Sequence, residues 1–283
     1  MIKDYEDEWP SEDGEAAEDD KFIPQTSVRL PVGLPKDGVR YRDVEIDEMT
    51  GIDDHLISSK KVGNNGAKGL TLVICRCTQS VEGFHPFTSK TSTDKQFDRS
   101  LGRNMTQPDR DFLISRIFML SGRNDTVMAG KCSCGVIHQE EVRYSELPVV
   151  EWPDDAPLYI EFELEKGVPD KTGTFHKIGK VRFPRGSDQE RAGGMTDPAA
   201  ITDAMFAACI IELGDLEGVD QEMVKRMTRS DREILWTALR DKLPGVKQWK
   251  IIQCECGLDV EVKVDQNSFF TARRSKGKKS STS

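Results

Sequence analysis

The chain reads as an α+β protein of two tandem, pseudo-repeated units, and three observations predict this. A stretch is written twice: Met105 to Gly135 returns 122 residues later as Met227 to Gly257, with eight of 31 aligned positions identical and no gap. Background amino-acid usage gives roughly two such identities. Each copy closes with a Cys-x-Cys-Gly turn between extended segments, Cys132-Ser133-Cys134-Gly135 and Cys254-Glu255-Cys256-Gly257. Each turn follows a helical stretch that starts with the same Thr-x-x-Asp-Arg pattern.

The likeness extends towards the N-terminus. Leu72 to Cys75 and Val81-Glu82-Gly83 resemble Ala207 to Cys209 and Leu216-Glu217-Gly218, and Gly51-Ile52-Asp53 resembles Gly186-Ser187-Asp188. The offset there is 134 to 135; a surface loop from His85 to Arg103, rich in Ser, Thr and Lys, absorbs the difference. These matches predict an acidic arm at 1–27, unit one at 28–148, a linker at 149–156, unit two at 157–268 and a basic tail at 269–283. A chain of 283 residues suits two domains.

Within unit one, Val28 to Val32 and Val39 to Ile46 alternate apolar and polar residues around Lys36-Asp37-Gly38, which predicts an opening β-hairpin. Gly51 to Ser59 predicts a short helix, Asn64-Asn65-Gly66 a turn, and Ala67 to Ser80 a further helix. Thr106-x-x-Asp109 and Thr228-x-x-Asp231 predict helix N-caps, the hydroxyl taking an unpaired amide and the carboxylate facing the positive helix end. Leu113, Ile117 and Leu120, like Leu235, Leu239 and Leu243, recur at helical spacing and predict buried stripes. Val136 to Tyr144 and Leu258 to Val264 read as extended. Each unit is thus expected to run from an opening hairpin through two or three helices to a closing hairpin with the thiols at its turn.

Four thiols match the ligand count of one tetrahedral zinc site, and a terminal Gly lets such a turn adopt positive φ while amides approach the sulfurs. The usual spacing has two intervening residues and here there is one. Three arrangements remain open: a shared site of Cys132, Cys134, Cys254 and Cys256, separate sites completed by other ligands, or pairs without metal. His138 would be the residue to complete a separate site in unit one, but Val260 stands at the aligned position, so a satisfied or exposed surface histidine is expected. Cys75, Cys77 and Cys209 lie in apolar helical stretches and are expected as core residues. Arg110 and Arg232 are expected to pair with neighbouring acids. Gly63 to Gly69 lacks the Gly-Lys-Ser/Thr ending of a phosphate loop and reads as a turn. With four histidines, no HExxH and no GxSxG, no catalytic constellation emerges, and the expectation is a non-enzyme.

Composition narrows the class. At 36% hydrophobic residues each unit has material for a modest core, so a metal would help stabilise it. No apolar run approaches the ~20 residues of a membrane span, and the N-terminus has no signal-peptide pattern, so a cytosolic chain with reduced thiols is expected. The net charge of −9 is uneven: residues 1–20 hold ten acids and one Lys, and the last eleven hold five bases and no acid. Both ends read as solvated tails, with weak nucleic-acid affinity conceivable only at the C-terminus.

The order of Leu30-Pro31-Val32-Gly33, Val44 to Gly51, the Gly63-Asn64 turn before an apolar helix, Asp109-Arg110-Asp111-Phe112-Leu113 and Cys132-x-Cys134-Gly135 resembles the baseplate hub assembly proteins of contractile-tailed bacteriophages. The resemblance covers most of unit one and, more faintly, unit two. It implies a non-enzymatic tail protein, an assembly factor or structural piece of the baseplate, found in the host cytoplasm during assembly or in the virion tail. Its partners would be other baseplate proteins, with no specific nucleic acid, no membrane and no small-molecule substrate. The rival reading is a zinc-ribbon-like nucleic-acid binder, which the acidic flanks Gln139-Glu140-Glu141 and Asp259 to Glu261 disfavour.

Overall fold

The structure, a computed structural model, describes residues 25–57, 65–82, 87–88, 95–96, 98–170, 172–216 and 218–264; the acidic arm to residue 24 and the chain after 264, with the basic tail, lie outside them. It is mixed α+β. β1 (Ser27–Lys36) and β2 (Val39–Ile46) form the opening hairpin, with Lys36 opposite Val39. Asp37 and Gly38, at φ 51° and 77°, make the two-residue turn that an Asp-Gly step favours. α1 (Gly51–Ile57) and α2 (Gly66–Cys77) follow, the latter capped by the Asn65 side chain.

Three expectations need correction here. The helix expected to reach Ser80 stops at Cys77, and Thr78–Val81 is β3, the third strand of a β1-β2-β3 sheet. Pairing of Val44 with Val81 across that sheet outweighs continuation of the helix. The loop expected from His85 to Arg103 contains a short ladder of β4 (Phe87–Thr88) with β5 (Lys95–Gln96), then α3 (Arg99–Asn104), capped by Asp98. And α2 ends at Cys77, so Cys77 rather than Cys75 occupies the place of the later helix-terminal Cys209.

α4 (Gln107–Leu120) begins at the expected Thr106 cap and leads into β6 (Asp125–Lys131), β7 (Ile137–Arg143) and β8 (Val149–Val150). The second half opens with β9 (Tyr159–Pro169) and β10 (Phe175–Arg182), then α5 (Gly186–Ala192), α6 (Pro198–Cys209), β11 (Ile210–Leu213) and α7 (Gln221–Lys225). α8 (Arg229–Lys242), capped by Thr228, precedes β12 (Gly245–Val246), β13 (Trp249–Gln253) and β14 (Asp259–Val264). Apart from β4, β5 and the short β8–β12 ladder, the elements come in the same order in both halves, and β9-β10-β11 repeats the strand order β1-β2-β3.

Two cores form, and each borrows from the other half. One holds Leu113, Ile117, Ile74 and Val44 of the first half together with Val260, Val262, Val264 and Cys254 of the second. The other gathers Phe162, Val181, Phe206 and Leu235 around Val32 from β1. The segment expected as a linker is also bound down. Val149 and Val150 pair with Val246 and Gly245, the Trp152 amide donates to the Pro31 carbonyl, and the Trp152 ring meets Phe183 edge-on at 5.0 Å. No described helix is long and apolar enough to cross a membrane.

Candidate metal centre

The thiols meet because the two closing hairpins share one sheet, of order β13-β14-β6-β7. β14 runs antiparallel to β6, with Lys263 opposite Ala129 and Val264 opposite Met128, so the turns before β14 and after β6 lie at the same end. Gly130 permits the approach: a Cβ there would stand 2.2 Å from the Glu261 carbonyl oxygen. Lys250 on edge strand β13 reaches across the sheet to Glu140 on the opposite edge strand β7 at 2.6 Å.

The two turns are built alike. The Cys132 amide donates to the Val136 carbonyl and the Gly135 amide to the Cys132 carbonyl; the Cys254 amide donates to Leu258 and the Gly257 amide to Cys254. Gly135 and Gly257 have φ of 97° and 83°, the left-handed conformation the sequence anticipates. All four sulfurs lie within 4.8 Å of one another. Across the hairpins, Cys132 Sγ stands 3.5 Å from Cys256 Sγ and Cys134 Sγ 3.7 Å from Cys254 Sγ. Sulfurs 2.3 Å from one tetrahedral ion would be about 3.8 Å apart, so the arrangement fits a four-thiolate ion with little movement. Cys132 and Cys254 are buried and Cys134 and Cys256 exposed, one of each per turn.

The backbone prepares the sulfurs for negative charge. The Cys134 amide donates to Cys132 Sγ, and this hydrogen bond lowers that thiol to about 7. Cys134, Cys254 and Cys256 also receive amides, from Val136, Cys256 and Leu258, but hydrogen bonds among the neighbouring thiols, preceded at Cys254 by burial, leave all three above the ordinary value. A cation at the centre would replace those shared protons.

The other singled-out residues are placed elsewhere. His138, on β7, is not among the clustered ligands; it is half-buried rather than exposed, and its buried Nε2 has no hydrogen-bond partner among the described residues, against the satisfied or exposed histidine expected. Cys75, Cys77 and Cys209 are core residues, and burial pushes their thiols up to about 11, 12 and 12. Arg232 pairs with Asp203 at 2.6 Å, as expected. Arg110, 1% exposed, meets no carboxylate at bonding distance among the described contacts. It donates instead to the Gly102 and Ala67 carbonyls, to Thr71 Oγ1 and to Gln189 Oε1 on α5 of the other half. The Gly63 to Gly69 turn is described only from Asn65, which caps α2.

Sequence reasoning missed the real partners of the capping acids. The Asp109 carboxylate accepts the Thr106 hydroxyl at its own helix start and also the amides of Val32 (2.8 Å) and Gly33, where a register shift bulges β1. Asp231 does the same in the second half, accepting the amides of Glu165, Lys166 and Gly167 on β9. Gly33 and Gly167 both have positive φ, 92° and 84°. A Gly near the end of an otherwise alternating strand was the available signal. No family model, no curated protein and no solved structure matches the chain.

Proposed function

We propose that this chain is a non-enzymatic bacteriophage tail protein, a structural component or assembly factor of the baseplate hub, whose two duplicated units are clasped by one structural zinc ion on Cys132, Cys134, Cys254 and Cys256. The metal part is carried by four sulfurs from two matching turns lying within 4.8 Å. Four thiolates favour zinc among common divalent ions and leave no position open for water or substrate, so the ion's role is structural. Duplication is supported by the common element order and by Asp109 and Asp231 each gripping the bulge of an opening hairpin. The tail reading rests on the order of the Leu30 to Gly33, Val44 to Gly51, Asp109-Arg110 and Cys-x-Cys-Gly motifs. In this role the chain works through contacts with other baseplate proteins, in the host cytoplasm and then on the growing tail.

Metal analysis of protein purified without chelator should find about one zinc per chain. Mass spectrometry of purified virions against infected-cell lysate should find the chain in one or both; its absence from assembly intermediates and virions alike would sink the tail reading. The zinc-ribbon alternative is favoured by the five bases after residue 272 and opposed by exposed Glu140, Glu141, Glu255, Asp259 and Glu261 around the turns. Sub-micromolar nucleic-acid binding at physiological salt that survives deletion of the last eleven residues would put that alternative first.

A further inference from the structure

We propose that the metal clasp is exchangeable for a covalent one: hydrogen peroxide converts the four thiolates into two disulfides, Cys132–Cys256 and Cys134–Cys254, and releases the ion. This rests on the four-thiolate reading above. The pairing follows from geometry, since the two contacts across the hairpins are 3.5 and 3.7 Å and each must close to about 2.05 Å. A bridge within one turn would have to form where the Cys132–Val136 and Gly135–Cys132 backbone hydrogen bonds, or their counterparts at Cys254, already fix the chain. Each cross pair also joins one exposed and one buried cysteine.

That division sets the chemistry. The exposed sulfur, Cys256 or Cys134, attacks one peroxide oxygen; the O–O bond breaks, hydroxide leaves, and a sulfenic acid remains. The buried thiolate of its partner, Cys132 or Cys254, attacks that sulfur, forms the S–S bond and expels a second hydroxide. Two peroxides thus take four electrons from four thiolates, giving two disulfides, four hydroxides and the free dication. The same two hairpins remain tied, now by bonds that need no metal.

The test uses the purified full-length chain of measured zinc content, titrated with hydrogen peroxide, alkylated and digested. The expected product is the peptide bearing Cys132 and Cys134 joined to the peptide bearing Cys254 and Cys256, with zinc released in step and Cys75, Cys77 and Cys209 still reduced. The double variant Cys132→Ser/Cys256→Ser should retain a single cross-link, and Cys254→Ser/Cys256→Ser should form none. Zinc-loaded protein whose thiols are consumed as intra-turn bridges or sulfinic acids overturns this inference and leaves the zinc reading standing. Metal-free protein that yields the same cross-links supports the pairing and removes the zinc reading.

Discussion

Replacing Asp109 by Ala should be among the most damaging single changes outside the metal site. Asp109 is fully buried, and its carboxylate accepts the Val32 amide at 2.8 Å, the Gly33 amide at 3.2 Å and the Thr106 hydroxyl at 2.9 Å. Val32 is itself 0% exposed, so water cannot replace the acceptor. Two stranded buried amides at about 1–3 kcal/mol each, with a weakened helix start worth about 1, give a loss of about 3–7 kcal/mol. Asp231→Ala also frees amides, but those of Glu165 and Lys166 belong to exposed residues that water can reach, which leaves Gly167 as the buried one. With the same helix-start loss of about 1, its cost should be about 2–4 kcal/mol. Urea unfolding followed by far-ultraviolet circular dichroism measures both. Equal costs, or a larger cost at Asp231, would refute the reasoning, because it derives the difference from the burial of the donors alone. Asp109→Asn keeps one acceptor oxygen and should recover part of the loss.

The same residue carries a pH signature. Burial pushes Asp109 up to about 6, above an unfolded value of about 3.9, so folding takes up a proton between those values and this group's stabilising contribution is lost as pH rises through that window. Wild type should therefore lose stability relative to Asp109→Asn between about pH 4 and 6, while the oppositely acting Asp170, held at about 2 chiefly by the Thr172 hydroxyl, cancels in the comparison. Parallel curves for the two proteins would show that Asp109 does not titrate there. Gly130→Ala should drive a methyl group into the Glu261 carbonyl, splay the two closing hairpins and lower zinc affinity on the order of tenfold or more in a competition titration; unchanged affinity would mean the thiols do not depend on that approach. Removing the metal with a chelator should speed amide exchange at 132–136 and 254–258 while the α4 amides stay protected, and protection lost throughout would contradict the proposed local clasp.

What could be read from the sequence was what is encoded locally. Asp37-Gly38 announces its turn because both positions must take positive φ, and Thr106 and Thr228 announce helix starts because their hydroxyls meet amides only three residues on. The cysteines stood out because they recur in matching turns. Nothing local fixes the stop of α2 at Cys77: Thr78 to Val81 becomes a strand through partners in β2, more than thirty residues earlier. The acids of the caps looked local and are not, since Asp109 spends its oxygens on amides 76 and 77 residues away. Gly130 was silent for the same reason, because its tolerance for Glu261 appears only when β14 is laid beside β6.

That joint explains where an ion would matter. β14 is hydrogen-bonded to β6 through residues 263 and 264, at the end away from the cysteine turns. Beneath this joint the hairpin is anchored by Val260, Val262 and Val264, each less than 5% exposed. Full burial of three valines at about 1.5 kcal/mol or more apiece holds the second half's hairpin against the first half's core whether or not a metal is bound. Towards the turns the two hairpins cross closely at Gly130 and bring the four sulfurs together, and thiolates held this near one another would repel unless a cation sat between them. The hydrophobic joint therefore selects which hairpins meet, and a bound ion would close the end that the joint leaves open. This division also accounts for a tetrad in which one cysteine of each turn is buried and the other faces solvent: the buried pair belongs to the core, and the exposed pair completes the clasp.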